Sequence, residues 1–309
     1  MGRNIGKFFF QMFYKSMNIP KIDNNKYIPK IIKQSPVKSI GYKSLSSEVV
    51  KSAGIDYSVV PKSVLRQKII ESRIQSLTPI QSKEEYKKSL STILKYAVSS
   101  GDFVSGLISL MGYEKIDKEL IGLVPYCGLA DLSDQINSWL TGRSFKYQDM
   151  LPDEKMTNIV RTFEYSLNKL DKKYGKYEGK LYRTGHFNPN TDSQYYSASK
   201  DINCTISHRT FKQPSPSTPF SIIHVKRGHN ICQFQEDANS YPSRRFAKEE
   251  QEILIDRKSK FKKIPPEKYT KEDIKDILDV ASKTMNLQLK PENWENIDAL
   301  KYISIWEEI

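Results

Sequence analysis

Three cysteines in 309 residues, Cys127, Cys204 and Cys232, are too few and too scattered for a disulfide framework. Their odd number and lack of paired spacing exclude the usual zinc patterns and suggest buried thiols in a reducing compartment. The four histidines, His186, His208, His224 and His229, also lack a metal-ligand spacing; the last two read as opposite sides of a turn around Arg227-Gly228. No apolar run approaches the roughly 20 residues that cross a bilayer. Phe8-Phe9-Phe10 and Met12-Phe13 are interrupted by Gln11, and no small-residue cleavage site follows, which argues against a secretory signal. Met1-Gly2-Arg3-Asn4-Ile5-Gly6 lacks the Ser or Thr of a myristoylation signal. A Walker loop and a GxGxxG turn are both missing, so the common phosphate cradles are excluded. There is no internal repeat.

What the chain does carry is basic charge, unevenly spread. The formal net charge is +13, and residues 1–50 hold nine Lys/Arg against Asp23 and Glu48, so over half the excess sits in the first sixth. Such a segment suits an acidic partner, nucleic acid or an anionic membrane, and equally a solvated arm. A hydrophobic content of 38% with 28% charged residues fits a globular protein with a real core.

Pro20, Pro29 and Pro36 break any long helix near the start, so residues 1–60 read as a basic leading segment. Ser82-Lys83-Glu84-Glu85 forms a capping box that opens a helix with Tyr86, Leu90, Ile93, Leu94, Ala97 and Val98 on one face. Gly101 would end it. Residues 103–150 read as short helical pieces. Pro152-Asp153-Glu154 starts a second amphipathic helix along Met156, Ile159, Val160, Phe163, Leu167 and Leu170. From Gly175 to about Phe261 the pattern turns to short strands. Thr270-Lys271-Glu272-Asp273 then caps a helix with Ile274, Ile277, Leu278 and Ala281, and Trp294, Leu300, Ile303 and Trp306 supply later anchors. Helices, then strands, then helices argue for an α+β fold.

One stretch organises the rest. In Glu249-Glu250-Gln251-Glu252-Ile253-Leu254-Ile255 the apolar tail reads as a buried strand, and strand alternation aims Glu250 and Glu252 to one face. Paired carboxylates entering a buried strand cost stability, so the pair is either a solvated face or a site. Glu249 leaves a second register open.

Two further elements precede it in order: Lys180-Leu181-Tyr182-Arg183-Thr184-Gly185, a strand presenting one arginine, and Tyr195-Tyr196-Ser197-Ala198-Ser199, aromatics leading into two serines. Over roughly residues 80–263 this ordered set resembles the Arg–Ser–Glu class of mono-ADP-ribosyltransferases, found among bacterial toxins and effectors, phage enzymes and vertebrate ectoenzymes. The tail Glu252 to Ile255 with Ser259-Lys260-Phe261-Lys262 looks like the final strands of the actin-modifying toxins.

The resemblance implies an ADP-ribosyltransferase-like fold, with an N-terminal helical block, a two-sheet β core holding NAD, and C-terminal helices. With the pattern changing at about Pro61, the catalytic domain is read over 61–264 and 265–309 as a helical C-terminal extension. NAD would be the co-substrate, with no metal. Arg183 would hold a phosphate or ribose of NAD; its bland alternative is a salt bridge. Ser197 would orient Glu252, which would bond the nicotinamide ribose and stabilise the positive charge developing as nicotinamide leaves. Tyr182, Thr184 and Gly185 around Arg183, together with Ser199, complete the implied NAD-binding set. Glu250 would meet the acceptor, and a Glu there goes with arginine acceptors in the family. The loop Tyr241 to Lys248 falls at the target-recognition position, with Tyr241 or Phe246 contacting the acceptor protein; Phe246 packed under the loop is the alternative.

These readings imply an arginine-specific transferase, monomeric, with a target protein rather than nucleic acid as partner. It would be a bacterial effector delivered to a host cytoplasm by a non-classical route, or a cytoplasmic phage enzyme. An NAD glycohydrolase of the same fold and a non-enzymatic basic binding module are the other function classes.

Overall fold

The computed structural model describes residues 62–99, 117–123, 126–127, 130–143, 151–191, 193–207, 211–237, 248–285 and 298–309. The chain divides into two compact units, Met1–Glu71 and Ser72–Ile309. Of the first, only the opening turns of helix α1 (Lys62–Ser76) are described. The basic segment 1–60, Gly101 and Trp294 lie outside the described residues.

The second unit begins with helices that end where their capping chemistry dictates. Ahead of α2 (Lys83–Ser99), the Ser82 hydroxyl accepts from the Glu85 N–H at 3.1 Å. The Glu85 carboxylate reaches back one residue further than a standard capping box, accepting from the Gln81 N–H at 3.0 Å. A 3-10 turn (Lys118–Leu123) and α3 (Ala130–Leu140) follow. Helix α4 (Asp153–Tyr174) buries Met156, Ile159, Val160, Phe163, Leu167 and Leu170, the stripe expected from the sequence. The block is tied by polar contacts at close quarters: Tyr86 Oη lies 3.0 Å from Ser166 Oγ and accepts from the Gly122 N–H at 3.0 Å.

Six strands follow: β1 (Lys176–Thr184), β2 (Tyr196–Ser199), β3 (Phe220–His229), β4 (Glu252–Ile255), β5 (Phe261–Ile264) and β6 (Ile303–Glu308). Short helices α5 (Ile202–Ile206) and α6 (Ile231–Asp237) connect them, and α7 (Lys271–Met285) precedes the last strand. The fold is α+β. By hydrogen bonding there is one six-stranded mixed sheet, ordered β1-β2-β4-β3-β6-β5, with β1 also paired to β3. Among the described pairings only β3–β6 is parallel. The two sheets expected from the sequence are thus joined into one, and the joins are single residue pairs: Tyr182 with Ser199, and His229 with Leu254.

The reading of 265–309 as a helical extension needs correction. Helix α7 forms as expected, its Thr270 hydroxyl accepting from the Asp273 N–H at 3.1 Å while Asp273 accepts from the Thr270 N–H. Residues 303–308, however, are a strand inside the sheet, between β3 and β5. Ile303, Ile305 and the alternating pattern between them are strand signals, which the tryptophans obscured. One sheet face packs Leu181, Ala198, Ile223, Ile253, Ile255 and Phe261; the other packs Ile222, Ile303 and Ile305 against Ile277, Val280 and Ala281 of α7. At the sheet edge, the Asn190 amide both donates to the Phe261 carbonyl and accepts from its N–H, covering that stretch of β5.

Candidate active site

The cleft forms where the join between β1 and β2 meets helix α3. It encloses about 590 Å³, and four of its lining residues are Arg183, Ser197, Glu250 and Glu252. Three of these come from strands. Arg183 lies near the end of β1, with its guanidinium 5.2 Å over the Tyr196 ring, and its Nη1 donates to the Ser197 carbonyl. Its Nε is buried and has no hydrogen-bond partner among the described residues. In β2, Ser197 shares a face with Ser199 by alternation, and across the ladder Ser199 lies opposite Glu252. Ser197 favours the ionised form of Glu252.

Glu250 reaches the cleft by a different route from the one the sequence suggested. Residues 248–250 form a helical turn and β4 begins only at Glu252. Between them Gln251 has φ 45°, the left-handed region, and its carbonyl accepts from the Lys200 N–H at 3.1 Å. The left-handed backbone at Gln251 breaks the strand alternation there, and both carboxylates line one cavity.

The electrostatics separate the two acids. Glu252 is 8% exposed, and burial pushes its carboxyl up to about 7, with the neighbouring Glu250 raising it further and Ser197 and Arg183 opposing. Glu250 stands exposed at the mouth and is raised by desolvation and by Glu249. Burial lowers Arg183 from its ordinary value, while Tyr196, Tyr126 and Glu252 favour its charge.

Four residues of the implied NAD-binding set stand elsewhere. Tyr182 is directed by alternation to the opposite face of β1, where its hydroxyl bonds Asp276 at 3.0 Å. Thr184 shares that parity and pairs with Phe220. Gly185 turns the chain with φ 88° and donates to the Pro219 carbonyl. Ser199 accepts from the Asp201 N–H at 3.1 Å, so its hydroxyl serves the turn after β2. None of the four lines the cleft. Tyr241 and Phe246 lie outside the described residues.

The sequence reading missed the opposite wall. Ser133, Asp134, Asn137, Ser138 and Thr141 line the cleft from α3 and the turn that follows it, joined by Tyr126, Cys127 and Tyr195. A signal was present: these polar residues recur at helical spacing opposite buried Leu132, Ile136, Trp139 and Leu140. Cys127 is accordingly part of a cleft wall rather than an inert core thiol. Among the described residues no cluster of His, Cys, Asp or Glu could hold a metal ion, and no helix is long and apolar enough to cross a membrane.

Behind the cleft, β4 is anchored by a buried histidine. His229 Nδ1 lies 2.8 Å from Asp171 Oδ1 of α4, and its Nε2 lies 3.4 Å from Asp256 Oδ2, just past β4. Lys176 accompanies Asp171, and the Lys258 N–H bonds Asp256. Burial pulls the imidazole down, but the two carboxylates outweigh it and hold the group above its ordinary 6.5. A raised folded value means that the latch contributes fully below pH 6.5 and is lost as pH rises through the folded value. Hence His229→Gln should cost roughly 1.5–3 kcal/mol at pH 6. Urea titrations should show its deficit against wild type shrinking towards pH 9; a deficit independent of pH would refute the charged latch.

No family model, curated protein or solved structure matches the chain. The case for function therefore rests on the site itself.

Proposed function

We propose that the protein is an arginine-specific mono-ADP-ribosyltransferase that uses NAD as co-substrate. The observation that carries this reading is the convergence of Arg183, Ser197, Glu250 and Glu252, from three separate stretches of chain, on one cleft. In this reading Arg183 holds a phosphate or ribose of NAD through its planar donor array. Glu252, oriented by Ser197, engages the nicotinamide ribose. The bond between ribose C1′ and the nicotinamide nitrogen breaks, nicotinamide leaves with the electron pair, and ionised Glu252 stabilises the oxocarbenium-like sugar. A guanidine nitrogen of the target then bonds to C1′, and Glu250 takes its proton. The exposed position of Glu250 at the cleft mouth suits contact with an incoming protein. A bacterial effector acting on a host protein and a phage enzyme acting inside a bacterium are both settings for this chemistry.

The test is incubation of the protein with labelled NAD and a eukaryotic lysate, read by gel and mass spectrometry. A discrete band modified on arginine supports the proposal; absence of both labelling and nicotinamide release sinks it. Glu250→Gln should lower protein labelling by roughly 10²-fold or more, as expected for loss of a general base, while nicotinamide release stays near wild type. Equal loss of both activities would remove Glu250 from the acceptor role. If wild type releases nicotinamide but labels nothing, water is the acceptor and the enzyme is an NAD glycohydrolase.

A further inference from the structure

Strands β2 and β4 form a two-stranded ribbon paired along its whole length, from Tyr196 with Ile255 to Ser199 with Glu252. The ribbon carries Ser197 and Glu252, yet a single residue pair joins it to β1 on one side and to β3 on the other. Ladder hydrogen bonds therefore do little to fix it against Arg183 on β1. Ile253 and Ile255 pack into the core, but apolar contact is non-directional and sets no register.

Helix α4 supplies the missing constraint at the far end of the ribbon. Glu164 and Asp171 lie two turns apart on one face of that helix. Glu164 Oε1 accepts from Arg257 Nε at 2.8 Å, lies 2.7 Å from its Nη2, and accepts from the Tyr195 hydroxyl at 3.1 Å. Tyr195 leads into β2 and Arg257 follows β4, so one carboxylate holds both strands. Asp171 reaches the same end through His229, whose other ring nitrogen faces Asp256, the neighbour of Arg257. A carboxylate at each ring nitrogen calls for a proton on both, which only the imidazolium has. Of the charged groups around it, Lys176 pairs with Asp171 and the Lys258 N–H bonds Asp256, while Glu236 and Asp237 of α6 are engaged by Cys232 and Tyr174. Buried ionic groups add little net stability over apolar packing, but their directional bonds admit one arrangement.

We propose that Arg257 and His229 are positioning residues: through them α4 sets the β2–β4 ribbon, and with it Glu252 and Ser197, against NAD held by Arg183. This rests on the ADP-ribosyltransferase reading. The two clamps differ in kind. Arg257 keeps its charge at every working pH, whereas His229 lets go when its proton leaves. A displaced Glu252 stabilises the sugar cation less while the Arg183 contact stays in place, so the loss falls on kcat.

The experiment measures kcat and KM for nicotinamide release from NAD across pH, with far-UV circular dichroism of the same samples. Wild-type kcat should rise through about pH 7 as Glu252 ionises, then fall about tenfold at alkaline pH as His229 loses its proton. Asp256→Asn removes one carboxylate from the imidazole and should move the alkaline fall about one pH unit lower, with the acid limb in place. Arg257→Lys keeps the charge but loses the two-nitrogen grip on Glu164. It should lower kcat about tenfold or more at every pH, with KM within about twofold. An alkaline limb that is absent, or that stays put in Asp256→Asn, would overturn the assignment and leave the transferase reading intact. So would a wild-type kcat in Arg257→Lys, losses confined to KM, or losses that follow the unfolding seen by circular dichroism. Wild type that releases no nicotinamide at any pH would overturn both.

Discussion

Glu252→Gln should release nicotinamide from NAD roughly 10²–10³-fold more slowly than wild type, and it should also be the more stable protein at pH 8. Both effects have one origin. The carboxyl is 8% exposed and burial pushes it up to about 7, against an ordinary value of 4.5 in the unfolded chain. Between those values the folded state binds more protons, so folding stability falls as pH rises, and the whole cost is present above pH 7. It amounts to at most about 3 kcal/mol. A neutral amide of the same shape escapes that cost but cannot stabilise a developing positive charge. Urea unfolding at pH 4 and pH 8 should therefore show near-equal stabilities at acid pH and a more stable variant at alkaline pH. Wild-type nicotinamide release should climb as pH rises through about 7. Retained activity in the variant, or equal stability at pH 8, would break the link between burial and catalysis.

Removal of residues 303–309 should abolish folding of the second unit. These residues form β6, which pairs along Phe220 to His224 of β3 on one side and along all of β5 on the other. Deletion strips the sheet interior, exposes Ile222 and Ile264, and leaves α7 without Ile303 and Ile305. Two buried isoleucines are worth about 1.5–3 kcal/mol each. Glu308 adds more: 1% exposed, its carboxylate accepts from the Lys226 and Arg227 N–H groups, from Arg227 Nε and from Ser259 Oγ. Burial would raise this carboxyl, but those donors outweigh it and hold it below its ordinary value. Together these losses reach the 5–15 kcal/mol that holds an ordinary domain folded. Far-UV circular dichroism and solubility of the truncated chain provide the check. Glu308→Ala alone should cost about 1–3 kcal/mol in urea, because two backbone N–H donors and Ser259 lose their acceptor while the half-exposed Arg227 returns to water. A soluble truncated protein with a wild-type spectrum would contradict the central placement of β6.

Local signals carried far in this chain, and long-range ones did not. The caps at Ser82 and Thr270 and the buried stripe of α4 were legible because each depends on residues three or four apart. Arg183, Ser197 and the two glutamates were legible as a set through resemblance, although each motif alone is common. Tyr182, Thr184 and Ser199 fall outside the cleft lining because neighbours in a strand alternate faces or serve the next turn. The parallel pairing of β6 with β3 was hidden, since a crossover between distant segments leaves no local mark. The α3 wall was readable as a polar stripe, but nothing near it announces which cavity it faces.

Gln251 has a consequence for how such a chain can diverge. Its left-handed backbone is the pivot between a helical turn and β4, and moving it would turn Glu250 away from Glu252. Drift at this position is therefore filtered by backbone geometry rather than by side-chain chemistry. Glycine, asparagine and aspartate pass the filter, while valine, isoleucine and threonine are purged even where their polarity and size would be welcome. A lineage could rewrite both flanks of the cleft and still betray its descent at this one inconspicuous joint.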